Sequence, residues 1–201
     1  MIYTDKLKLE ELMTHSNMSR IGADFSDVFD LNIIIALINS NDEIGAVLRI
    51  HFMLESLIEL WCNKITENED FFGFKPRPNF SLKLEIAKKL GLNAEIARFI
   101  KTFNTVRNDM AHQKENIIST KVIDSLRHAL DSMPSYGEEL IPKIGDSDWS
   151  IQIDQRRYTW NSPDMSNIDR LMFLYFTFSM KVIDIFKKEL TERDIPIEYR
   201  A

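Results

Sequence analysis

From Ile44 to Trp61 the apolar residues of this chain return every three or four positions, as Ile44, Val47, Leu48, Ile50, Met53, Leu54, Leu57, Ile58 and Trp61. That spacing is the period of an α-helix, and Asn41 and Asp42 just before it are capping residues, so a helix is predicted from 41 or 42 to about 65. Such a helix is about 36 Å long. An apolar stripe of that length is stable in water only when other elements lie on it. The scarcity of turn residues says which elements those are. Glycine and proline occur six times each in 201 residues, too few for the many turns of an all-β domain, so the expected fold class is all-α, a helical bundle.

The length suits one domain spanning 1–201, with a core of about 42–132 and a C-terminal segment over 145–201. Apolar residues at 44% and charged residues at 28% exclude the disordered, collagenous and fibrous classes. The single cysteine, Cys62, has no internal partner, which excludes a disulfide-stapled scaffold and a thiolate zinc finger; set among apolar neighbours beside Trp61, it reads as a small buried hydrophobe. The first residues lack a basic stretch followed by an apolar run, and the uncharged run from Leu171 to Met180 is cut by Lys181, far short of a membrane span. A cytoplasmic protein without membrane partners is expected. With 25 basic against 31 acidic residues the formal charge is −6, which argues against broad adhesion to nucleic-acid backbone and leaves room for a local basic site.

Further elements follow from the same signals. Residues 25–38 carry a compatible helical pattern, although Ile33, Ile34 and Ile35 alone also fit a strand. Residues 66–79 hold acids, Gly73, Pro76 and Pro78 and form a loop, with Phe71, Phe72 and Phe74 expected to tuck it down. A helix over about 80–90 stops at Gly91, another starts behind the cap Asn93 and runs to about 111, and a third covers 120–132 before Pro134. Alternation between Trp149 and Trp160 predicts a short strand or hairpin. Ser162, Pro163 and Asp164 read as a cap with proline at the first helical position, opening an apolar helix over about 163–190. Its aromatics cover more than one face, so it is either central to the bundle or half of a subunit interface.

The chemistry concentrates on the helix after Asn93. With about 100° per residue, Ile96, Phe99, Ile100, Phe103, Val106 and Met110 fall in an apolar arc of about 120°, and Asn104, Arg107, Asn108 and His112 in a polar arc of about 140° beside it. A permanent cation with a planar donor fork, two amides and a side chain titrating near neutrality suit metal-free cleavage of an RNA phosphodiester, in which the 2′-hydroxyl attacks phosphorus. His112 would act as acid or base, Arg107 would clamp the phosphoryl charge, and Asn108 would orient the imidazole or hold a phosphate oxygen. One histidine supplies one proton-transfer group where two are wanted, and a second copy related by two-fold symmetry would bring a second His112, so a homodimer is expected.

The stretch Phe103-Asn104-Thr105-Val106-Arg107-Asn108-Asp109-Met110-Ala111-His112 resembles the signature of HEPN domains, an Arg, a polar residue and then a His near a helix end. The helix over 81–91 and Phe52-Met53-Leu54-Glu55-Ser56-Leu57 are similar in arrangement to the mannitol operon repressor branch of that family, and the resemblance spans roughly 42–130. It implies an all-α, usually dimeric bundle and, in catalytic members, a metal-independent endoribonuclease without cofactor, often a toxin or antiviral effector, with RNA as substrate and an antitoxin or other regulatory protein as partner. Arg107, Asn108 and His112 carry over to the motif, Glu55 only loosely, with Asn104 as a supporting residue. Several members of that branch act as protein-binding regulators, so a noncatalytic interaction module, with Arg107 and His112 merely stabilising the helix end, is the alternative.

His51, Glu55 and Glu59 share one helix face at four-residue spacing, which reads as a solvated stripe or else as a metal set or a partner for Arg107. His15, Arg127 with His128, and Arg156 with Arg157 read as surface residues, the arginines being able to extend an RNA track. Glycine-rich phosphate loops are absent, which removes kinase, NTPase and dinucleotide chemistry, and no basic reading helix suggests DNA.

Overall fold

The computed structural model describes residues 42–112, 118–136, 141–145, 150–153 and 156–197 together with Phe25, Val28, Phe29 and Leu37; the side chains of residues 111, 112, 152, 153, 156 and 158 lie outside that description. Five helices and one two-stranded sheet make up the described regular structure: α1 (Glu43–Thr66), α2 (Phe80–Lys89), α3 (Ala94–His112), α4 (Thr120–Asp131), β1 (Ser150–Ile153), β2 (Arg156–Thr159) and α5 (Asn167–Thr191). The class is all-α with a small strand pair.

Each helix is bounded by local chemistry. α1 starts behind Asp42 with Glu43 in its first turn and ends at Glu67, whose left-handed backbone (φ 53°) lets its N–H return to the Asn63 and Lys64 carbonyls. The Asn79 side chain accepts from Leu82 N–H to open α2. α2 closes on Gly91 at φ 88°, where Leu92 N–H reaches the Ala87 carbonyl and Gly91 N–H the Lys88 carbonyl. Asn93 caps α3 by accepting from Glu95 N–H at 3.0 Å, and Ser119 caps α4 by accepting from Val122 N–H.

The expected start of the last helix is corrected. It begins four residues beyond Pro163, at Asn167, because Ser166 and Asp169 form a reciprocal capping box: the Ser166 side chain accepts from Asp169 N–H, and the Asp169 carboxylate accepts from Ser166 N–H. Ser162 instead closes a turn through its carbonyl, which accepts from Met165 N–H. In the loop 67–79, Phe72 is buried and Phe71 packs against it at 4.9 Å between centroids. Phe74 was expected to tuck down as well; it lies past the turn that Gly73 N–H closes on the Asp70 carbonyl and is 52% exposed. β1 and β2 pair antiparallel with Ser150 opposite Thr159 and Ile153 opposite Arg156. The predicted helix over 25–38 lies outside the described residues apart from Phe25, Val28, Phe29 and Leu37, all four buried.

α5 occupies the middle of the bundle. Phe178 stacks on Phe99 of α3 at 4.1 Å, Phe186 meets Trp61 of α1 at 4.9 Å, and Phe173 meets Trp160 at 6.0 Å. Tyr175 is buried with its hydroxyl on the Met53 sulfur at 3.4 Å. The Lys181 ammonium is buried too and donates to the Leu130 and Met133 carbonyls at 3.2 and 3.3 Å, a cation at the C-terminal end of α4 where the helix dipole favours one. Of the two readings of this helix, the central one holds, since its aromatic faces are covered within one chain.

Candidate active site

α3 owes its orientation to its apolar arc. Ile96, Phe99, Ile100, Phe103, Val106 and Met110 are all buried, which turns the opposite side outward and leaves Asn104 and Arg107 at its margin, partly buried, with Asn108 exposed. Arg107 Nη1 donates to Asn108 Oδ1 at 3.1 Å, while Arg107 Nε is buried and has no acceptor. Among the described residues no carboxylate pairs with this guanidinium. His112 is the last residue of α3, and its side chain lies outside the described residues. Its backbone position is about 7.5 Å along the axis from that of Arg107 and about 140° around it, so the two flank Asn108.

α1 supplies the other wall. His51 is 8% exposed, its ring lies over Phe80 of α2 at 4.2 Å between centroids, and its Nε2 is 3.2 Å from Asn104 Oδ1. Burial pushes its pKa below the ordinary 6.5; the Asn104 bond works the other way, the Arg107 charge adds to the lowering, and the Glu55 charge opposes it. The imidazole is therefore neutral at pH 7. With the Asn104 oxygen facing it, the Nε2–H tautomer is the one that completes this hydrogen bond.

Glu55 does not support Arg107. It accepts from Lys83 of α2 at 2.6 Å, and Glu59, one turn along, accepts from the same ammonium at 2.5 Å. Lys83 is buried at 7% exposure. Burial works to lower its pKa, but the hydrogen bonds and charges of the two glutamates outweigh that and hold it above the usual lysine value. The His51, Glu55 and Glu59 stripe runs from buried His51 to Glu59, whose side chain is 41% exposed, and its partners are Asn104 on α3 and Lys83 on α2. Among the described residues no cluster of His, Cys, Asp and Glu is arranged to hold a metal ion.

Lys83 was missed in the sequence, although Phe80, Lys83, Leu84 and Ala87 share the spacing of one helix face and a lysine on an apolar face signals a buried partner. The His51 to Asn104 bond has no such signal, since its ends are 53 residues apart. Cys62 is buried, and burial, with the Glu59 charge adding to it, pushes its thiol up to about 12, so it is no nucleophile at neutral pH. Arg127 is engaged by Asp124 and Asp131, and Arg157 donates to the Ser150 hydroxyl at 3.0 Å; His128 is exposed. His15 and the Arg156 side chain lie outside the described residues.

No family model matches the chain, and neither a curated protein nor a solved structure is recognisably similar to it. No helix among the described residues is long and apolar enough to cross a membrane.

Proposed function

We propose that this chain is a HEPN-type, metal-independent endoribonuclease, cytoplasmic and toxin- or defence-like, working as a homodimer with an antitoxin or other regulatory protein as natural partner. The observation that supports it is the state of Arg107. Among the described residues this arginine meets no carboxylate: it leans on the neutral Asn108 and keeps a buried Nε–H without an acceptor. A planar donor fork left unneutralised suits phosphoryl oxygens.

In the reaction, the 2′-oxygen forms a bond to phosphorus, the bond from phosphorus to the 5′-oxygen breaks, one proton leaves the 2′-hydroxyl and one reaches the departing oxygen. Arg107 stabilises the charge that builds on the phosphoryl oxygens, and Asn108 holds the guanidinium in place and faces the substrate. His112 transfers one proton, and its symmetry mate in the dimer transfers the other. Labelled RNA incubated in EDTA with the parent, Arg107→Ala and His112→Ala is the test. Cleavage by the parent and a loss of at least about 100-fold in each folded variant is expected. A folded parent that leaves RNA intact would leave the noncatalytic regulatory module as the reading.

A further inference from the structure

Asn104 and Arg107 of α3 each hold a donor without an acceptor among the described residues, and His51 of α1 orients the first. Asn104 presents its oxygen to His51, at 3.2 Å, and an amide whose oxygen is engaged on one side turns its NH2 group to the other. Among the described residues that NH2 group has no acceptor, and the neighbouring Arg107 Nε–H has none either. Residues three apart on a helix have Cβ atoms about 5–6 Å apart, so the two side chains leave α3 as neighbours. Arg107 Nη1 is already committed to Asn108 and Nε is buried without an acceptor, so the guanidinium keeps an unmet donor on the same helix face as Asn104.

We propose that Asn104 donates directly to a phosphoryl oxygen beside Arg107, and that His51 is the positioning residue that fixes the Asn104 amide with its NH2 group toward that anion. The inference rests on the RNA-cleavage reading for the identity of the anion, a phosphodiester, but the seat itself would take any phosphate.

A free asparagine amide turns over readily, and in the flipped orientation its oxygen would face the phosphate and repel it. His51 prevents this. Its ring is stacked on Phe80 and 8% exposed, so an Nε2–H there has the Asn104 oxygen as its partner with little competition from solvent. The Glu55 and Glu59 carboxylates, which would disfavour an anion nearby, are both drawn to Lys83 on the α2 side of α1. The Arg107 charge reaches this seam and adds to the lowering of the His51 pKa, with the Glu55 charge opposing it.

The experiment uses the full chain with inorganic phosphate as probe, followed by the Asn104 side-chain amide signal in NMR titrations, and with RNA cleavage measured in parallel. His51→Phe keeps a ring for Phe80 to stack on and removes the donor; His51→Gln keeps a donor near the place of Nε2. Phosphate affinity and kcat/KM are expected to fall about tenfold in His51→Phe, the loss of one hydrogen bond to a charged group, and to stay within about threefold of the parent in His51→Gln. In an Asn104→Ala background His51→Phe should add nothing, because the two residues act as one unit, whereas a merely structural histidine would give additive losses. Nitrogen spectra of the parent should show neutral His51 as the Nε2–H tautomer.

Parent-like phosphate binding by His51→Phe, additive losses, an Nδ1–H tautomer, or a parent blind to phosphate would each overturn the proposal. Its failure is separable from that of the nuclease reading: His51-dependent phosphate binding without RNA cleavage removes only the nuclease, and RNA cleavage unaffected by His51→Phe removes only the seat.

Discussion

Acid should destabilise this protein partly through one imidazole. His51 has a folded pKa below its ordinary 6.5, chiefly because it is buried, with Arg107 adding to the lowering and Asn104 and Glu55 opposing it. As pH falls through about 6.5 the unfolded chain takes up a proton that the folded chain refuses, so stability drops until the pH passes the lower, folded pKa and then levels; above 6.5 the group contributes no slope. Urea unfolding between pH 7 and pH 5 is expected to show a shallower loss in His51→Gln than in the parent, and equal slopes would refute the assignment. At this scale legibility followed distance along the chain. The burial of Cys62 and the placing of Arg107 on a polar arc were readable from neighbours within two turns. The partner of His51 was not, because a hydrogen bond between residues 51 and 104 exists only once α1 and α3 lie side by side.

Helix boundaries turn on which cap satisfies more backbone donors. Ser162 with Pro163 is a sound opening by sequence, yet the chain starts α5 behind Ser166, where serine and aspartate satisfy two N–H groups reciprocally. Ser166→Ala is expected to cost about 1 kcal/mol. Ser162→Ala should stay within about 0.5 kcal/mol. Thermal unfolding of the two variants checks both, and equal effects would mean that the box does not govern the start of α5. The other boundaries were legible because their chemistry is local: Asn79 and Asn93 cap from their own side chains, and Gly91 takes the positive φ that ends α2. The paired strands β1 and β2 likewise appeared where alternation replaced the helical period.

For the whole molecule, the placing of α5 decides the rest. Phe178 is fully buried and stacked on Phe99, so Phe178→Ala should cost about 3–5 kcal/mol, a large part of the roughly 5–15 kcal/mol that holds a domain folded. A much lower urea midpoint is the expected result, and a near-parental midpoint would contradict a central α5. The sequence by itself determined the helices, most of their ends, the apolar and polar arcs of α3 and the all-α class, because caps and the 3.6-residue period act between residues a turn or two apart. Only the tertiary structure decided that α5 is enclosed by its own chain, that Glu55 serves Lys83 instead of Arg107, and that His51 faces Asn104. Those choices depend on which helix faces meet, and the free energy that selects them comes from burying whole faces together, a quantity no local spacing contains.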